Sequence, residues 1–190
     1  QLKPTLGRVS VLNHDPWRNR KILRRIGLCP ATDVLYPNVS AHEWVTYQAR
    51  LHDLSRTESR QAASESLELV GMTDHMHRPM GEYSLGMRQR TKIAQALAHH
   101  PELLILDEPY NGLDPVGRHQ MTQLLIRLSE QGTSLLFASH VLHEIEEITS
   151  SFLLIHGGRL LASGTAQEIE QIIADTPQEV VLIGIDVPKL

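Results

Sequence analysis

The chain has 190 residues, 41% hydrophobic and 21% charged, which suffices for one ordinary domain with a real core and excludes a disordered tail. A formal charge of -4 and a pI of about 6.3 argue against a general phosphate-backbone binder, which would carry a basic face. The single cysteine, Cys29, excludes an internal disulfide and fits a reducing compartment, and no apolar run approaches the roughly 18 residues needed to cross a bilayer.

Gln1–Ser10 has no apolar h-region, so no secretory signal is expected and the chain reads as soluble, free to dock on a membrane protein. Lys3-Pro4-Thr5-Leu6-Gly7 reads as a turn, and Arg8–Leu12 (RVSVL) alternates as a strand would. Arg18–Arg25 is basic and predicts a short helix; Ile26–Cys29 predicts an apolar strand, and Pro30 opens a loop to Pro37. From Ser40 to about His75 the pattern is helical, with Ser40 and Glu43 in capping-box spacing and Thr57–Val70 stopping at Gly71. Ser84 precedes another helix, Met87–His99, with apolar Ile93, Ala94, Leu97 and Ala98. Leu103–Leu106 and Ser134–Ala138 are short apolar runs separated by a helix, Gly117–Gln131, which predicts a buried parallel α/β sheet. Phe152–Ile155 and Arg159–Ala162 flank the turn His156-Gly157-Gly158, a hairpin signal. Thr165–Ala174 predicts a last helix, and Val180–Ile185 the opening strand of a further domain.

Three motifs carry chemistry. In LLILDEP the apolar run ends on two adjacent carboxylates, Asp107 and Glu108. Ligands of open α/β sheets bind beyond the carboxyl ends of the strands, where one carboxylate could hold Mg²⁺ and the next polarise an attacking water. Alone, the pattern also fits a buried strand leaving the core through a charged turn. Next, Tyr83-Ser84-Leu85-Gly86-Met87-Arg88-Gln89-Arg90 places a hydroxyl and a glycine at a helix start, where free amides and the helix dipole attract anions. A plain serine N-cap explains the same residues in isolation. Last, His140 follows the apolar run ending at Ala138-Ser139, where an imidazole could meet a phosphate or simply face solvent.

In order and spacing, S-L-G-M-R-Q-R, L-L-I-L-D-E-P, G-L-D and A-S-H together resemble the ATP-binding-cassette (ABC) transporter ATPases. The resemblance extends over nearly the whole chain, from Lys3–Leu12 to the terminal hairpin His156–Gly164, and S-x-G-M with D-V-L-Y-P-N is most similar to the ABC-2 type. It implies an α/β fold: a P-loop NTPase-like parallel sheet core, truncated at the amino end, with an inserted mainly helical subdomain. It divides the chain into a remnant β subdomain and Q-loop region (1–38), a helical subdomain (39–100), a catalytic core (101–165) and a carboxy-terminal helix with the start of another domain (166–190). It further implies ATP and Mg²⁺ as cofactors, with Asp107 supporting the metal, Glu108 polarising the water and His140 contacting the γ-phosphate. Ser84, Gly86 and Met87 would bind the nucleotide of a second cassette in a head-to-tail dimer, and Asp114 would lie in the loop coupling the two sites. The implied partner is a membrane-spanning permease subunit, met at the cytoplasmic face, with no nucleic acid.

Two departures stand out. No G-x-x-x-x-G-K-[ST] occurs in these residues, so the resemblance places the phosphate loop upstream of Gln1, and the 190 residues alone are expected to bind ATP poorly and hydrolyse it negligibly. Ala31 stands where the family has a glutamine that meets Mg²⁺ and water, and a methyl group does neither. A degenerate, non-catalytic cassette that binds or regulates a partner is therefore the competing reading. A soluble cassette acting on ribosomes or DNA is a third, for which two cassettes or basic insertions would be expected. The pairs His75/His77 and His99/His100, and His140 with Glu144, match no zinc spacing.

Overall fold

The computed structural model describes residues 3–32, 35–139 and 146–175. They form two compact units that divide between residues 140 and 141.

In the first unit, a 3-10 helix, Arg20–Arg25, starts at Asn19, whose side chain accepts from the Lys21 amide, and it buries Ile22. It leads directly into strand β1, Ile26–Cys29. The strand expected at Arg8–Leu12 does not form. Val11 instead bridges His14 through a tight turn in which Leu12 and Asn13 take φ of 47° and 64°. Both Val11 and His14 give their amides to each other's carbonyl at 2.9 Å, so the chain curls back before a strand can extend.

Helices α1 (Ala41–Arg50), α2 (Arg56–Leu69) and α3 (Leu85–Leu97) pack on one another. Both α1 and α2 begin in a capping box, Ser40 with Glu43 and Ser55 with Glu58, each in S-x-x-E spacing. Their shared core is small-residue and aliphatic: Val45, Ala49, Ala63, Leu67 and Met72 are all buried.

Strands β2 (Leu103–Asp107) and β3 (Ser134–Ala138) complete a three-stranded parallel sheet in the order β1-β2-β3. Helix α4, Pro115–Glu130, connects β2 to β3, with Asp114 as N-cap and Pro115 at its first position. Alternation along the strands sends Gly27, Cys29, Leu104 and Leu106 inward, all buried, and α3 packs on β1. The close approach depends on Gly27, because a Cβ there would lie 2.3 Å from the Ala96 carbonyl oxygen.

The second unit is a hairpin, β4 (Phe152–His156) and β5 (Arg159–Gly164), with helix α5 (Ala166–Asp175) against it. Gly157 and Gly158, with φ of 54° and 74°, make the turn, and Phe152 and Ile169 are its buried apolar residues. The expectations for His140, for His140 with Glu144, and for the strand at Val180–Ile185 fall outside the described residues.

Candidate functional site

Parallel register brings the carboxyl ends of three strands to one edge. Cys29 pairs with Leu106, and Asp107 with Ala138, so the segments after them (Pro30-Ala31, Glu108 and Ser139) leave the sheet side by side. Asp107 and Glu108 are both half-buried, at the end of a strand whose Leu104 and Leu106 are fully buried. This is the edge at which α/β sheets hold ligands.

Glu108 is the site's conformational outlier. It has φ of 50°, the left-handed region that a non-glycine residue adopts only at some cost. Its amide donates to the Ala138 carbonyl at 2.8 Å, and its own carbonyl accepts from the Asn111 amide at 3.2 Å. The chain thus turns away from the sheet directly after Asp107, which separates the directions of the two neighbouring carboxylates. Tyr110 and Leu113 anchor the turn as buried residues, the Tyr110 hydroxyl lying 3.0 Å from that of Thr122 on α4.

Ser84 is the N-cap of α3, its hydroxyl accepting from the Met87 amide at 3.2 Å. No acidic residue stands in the first turn of α3, which leaves the positive end of its dipole unopposed there. Gly86 lies against the turn after β2: a Cβ on it would be 3.1 Å from the Gly112 carbonyl oxygen, and a Cβ on Gly112 would be 2.8 Å from that of Leu85. Asp114 is occupied as a cap, accepting from the Gly117 amide at 3.0 Å.

Two polar residues of α3 tie these pieces together, and the sequence reading missed both. Gln89, 2% exposed, donates its side-chain amide to the carbonyls of Glu108 and Pro109 at 3.3 and 3.0 Å. Lys92, 5% exposed, donates to the carbonyls of Pro30 and Ala31, both at 3.1 Å. Their signal was available: both fall on the helical stripe that continues through Ile93 and Ala96, where an apolar residue is the ordinary choice. Ala31 is half-buried, and its backbone, not its methyl, is what the structure uses. Burial pushes the Cys29 thiol up to about 12, so it acts as a small hydrophobe and not as a nucleophile.

Just past the end of α3, His99 donates Nε2–H to the Ile26 carbonyl at 3.0 Å and stacks on His52, ring centroids 3.7 Å apart. Among the described residues neither Nδ1 has a hydrogen-bond partner, which suits two neutral rings. Burial, with His52 beside it, lowers His99 from 6.5 to about 4, and burial lowers His52 as well. Because the folded value lies below the free one, the stabilisation is complete above pH 6.5 and is lost as pH falls towards 4. Stability against urea is therefore expected to fall by about 1–2 kcal/mol between pH 7 and 4.5, after discounting for the exposed part of the rings, and His99→Leu should lose most of that dependence.

The donor chemistry fits a magnesium nucleotide: a hard carboxylate at the sheet edge, and a capped helix start bearing a hydroxyl and free amides. Among the described residues no group of three or more His, Cys, Asp or Glu could hold a metal ion, so any Mg²⁺ here would complete its shell with phosphate and water.

The ABC transporter family model matches residues 1–111. The chain belongs to the ABC transporter family. Among curated members of the family, the bacitracin transport ATP-binding protein BcrA of Bacillus licheniformis is 40% identical over 162 residues, covering 84% of this chain and 52% of that protein. The linearmycin resistance ATP-binding protein LnrL of Bacillus subtilis (strain 168) is 33% identical over 167 residues, covering 87% and 54%. The chain thus spans about half the length of the curated ABC transporter relatives it matches. Among solved structures, an ATP-binding subunit of an ABC transporter superposes with a TM-score of 0.78 at 26% identity, over 91% of this chain and 72% of that one. A dimeric ATP-binding cassette, MJ0796, in a post-hydrolysis state with ADP and Pi, gives 0.76 at 25%, over 86% and 75%. The fold is that of the ABC ATPase domains, a P-loop NTPase fold with a parallel sheet.

Proposed function

We propose that the chain is the catalytic part of a cassette ATPase, of the ABC-2 type, that drives transport through a membrane-spanning permease subunit from the cytoplasmic face. The observation that carries this reading is the sheet edge, where Asp107 and a conformationally held Glu108 emerge beside Ala31 and Ser139. Asp107 would support Mg²⁺, Glu108 would polarise the hydrolytic water, and His140 would contact the γ-phosphate. Bound Mg²⁺ would neutralise charge on the phosphates as the terminal bond breaks. Ser84, Gly86 and Met87 would complete the site of a second cassette, with Asp114 in the loop between the two sites. Residues 39–100 would serve as the helical subdomain and 101–165 as the catalytic core.

The contact of Gly86 with Gly112 supports the shared-site geometry, because it seats the helix start bearing Ser84 on the loop that leads to Asp114. For the permease, the supporting feature is an aromatic ladder: Tyr36 and Tyr47, both exposed, flank Trp44, whose indole donates to Gln95 on α3. The bacitracin and linearmycin names of the two relatives agree with a transporter and leave the cargo open.

A non-catalytic cassette is the second reading, favoured by the methyl side chain of Ala31 at the edge beside Asp107. Phosphate release by the purified protein, as its gene encodes it, separates the two. Turnover with MgATP is expected; a folded protein that binds ATP without releasing phosphate would establish the second reading.

A further inference from the structure

We propose that Gln89 is a positioning residue for Glu108, an inference that rests on the catalytic reading above. The peptide groups on the two sides of Glu108 are gripped by different elements. On the amino side, its N–H reaches the last residue of β3, Ala138, at 2.8 Å. On the carboxyl side, the Glu108 carbonyl accepts from the Asn111 amide within the turn at 3.2 Å, and Gln89 of α3 donates to the same carbonyl at 3.3 Å and to the next, Pro109, at 3.0 Å. Between these grips Glu108 holds φ of 50°. A left-handed residue relaxes towards ordinary φ unless its surroundings over-determine it, and the Cα–Cβ direction turns with φ. Fixing those two peptides therefore fixes where the Glu108 carboxylate departs from the chain.

The amide of Gln89 is suited to this task. It is 2% exposed, so its donors are not diluted by solvent, and its weak third contact is the Cys29 sulfur at 3.8 Å. The same helix also touches the far end of the segment, where Leu85 and Gly86 pack on Gly112. Glu108–Gly112 is thus held at both ends by α3, and a displacement of the helix start is passed to Glu108 through Gln89.

The test compares the protein as its gene encodes it with Gln89→Met, which keeps the volume and removes the donor, and Gln89→Glu. For Gln89→Met we expect kcat to fall about 10- to 100-fold with KM for ATP within about threefold of wild type. A buried carboxylate facing two carbonyls becomes a donor only when protonated. The kcat of Gln89→Glu relative to wild type should therefore rise as pH falls from 8.5 to 6.5. A merely structural role predicts instead a ratio independent of pH. A Gln89→Met kcat within threefold of wild type overturns the proposal; if that variant does not fold, a flat ratio for Gln89→Glu overturns it. A wild-type protein that releases no phosphate fails the catalytic reading and takes this inference with it, whereas active wild type with indifferent variants fails this inference alone.

Discussion

Glu108→Gln is expected to lower ATP turnover by about 100-fold or more while leaving ATP binding within a few-fold of wild type. The substitution is nearly isosteric and keeps a polar side chain at a half-buried position. What it removes is a negative charge able to accept a proton from water, a contribution of about 10²- to 10⁴-fold in general-base catalysis. The left-handed backbone is expected to survive, because its bonds to the Ala138 carbonyl, the Asn111 amide and the Gln89 amide are made by the peptide groups on either side of it. Asp107, in strand register opposite Ala138, keeps the carboxylate proposed to support the metal. Steady-state phosphate release measures the first effect and nucleotide titration the second. A variant that retains a third or more of wild-type turnover would move the role of base elsewhere.

The second large effect is on stability. Gly27→Ala is expected to cost about 3 kcal/mol or more in urea unfolding. The new methyl would meet the Ala96 carbonyl oxygen at 2.3 Å, Leu104 Cδ1 at 2.9 Å and Pro101 Cγ at 3.0 Å. Overpacking in a core usually costs about 1–3 kcal/mol, and here the nearest atom is backbone, which no rotamer change can move aside. Relief requires α3 to lift from β1. That would strain the bonds Gln89 and Lys92 make to the loops, so activity should fall with stability. A midpoint shift equivalent to less than about 1 kcal/mol would show that α3 is not seated on β1 as described.

How much of this was legible in the sequence depends on the range of the interaction. Local signals were reliable: the Ser40 capping box, the glycine stop at Gly71, the Gly157-Gly158 hairpin and the apolar strands at Leu103 and Ser134 all form. Arg8–Leu12 failed because alternation over five residues competes with a two-residue turn, and Leu12 gave no warning that it would take positive φ. Asp107, Glu108 and Ser84 were visible because each ends or begins an element. Gln89 and Lys92 were hidden because their partners, residues 108–109 and 30–31, lie far away along the chain. Polar residues on a helix's buried stripe are meaningful only once the carbonyls opposite are known. His99, just past α3, was hidden for a like reason, since its partner His52 lies far earlier in the chain, in the turn after α1.

In the proposed arrangement each site is shared between two cassettes, Glu108 on one and Ser84 with Gly86 on the other. The direct measurement is the molar mass of Glu108→Gln protein, as its gene encodes it, by light scattering at saturating MgATP. Blocked hydrolysis should leave the nucleotide bridging the two chains, so a dimer is expected with ATP and a monomer without it. A monomer under both conditions, in protein shown to have bound ATP, would contradict it.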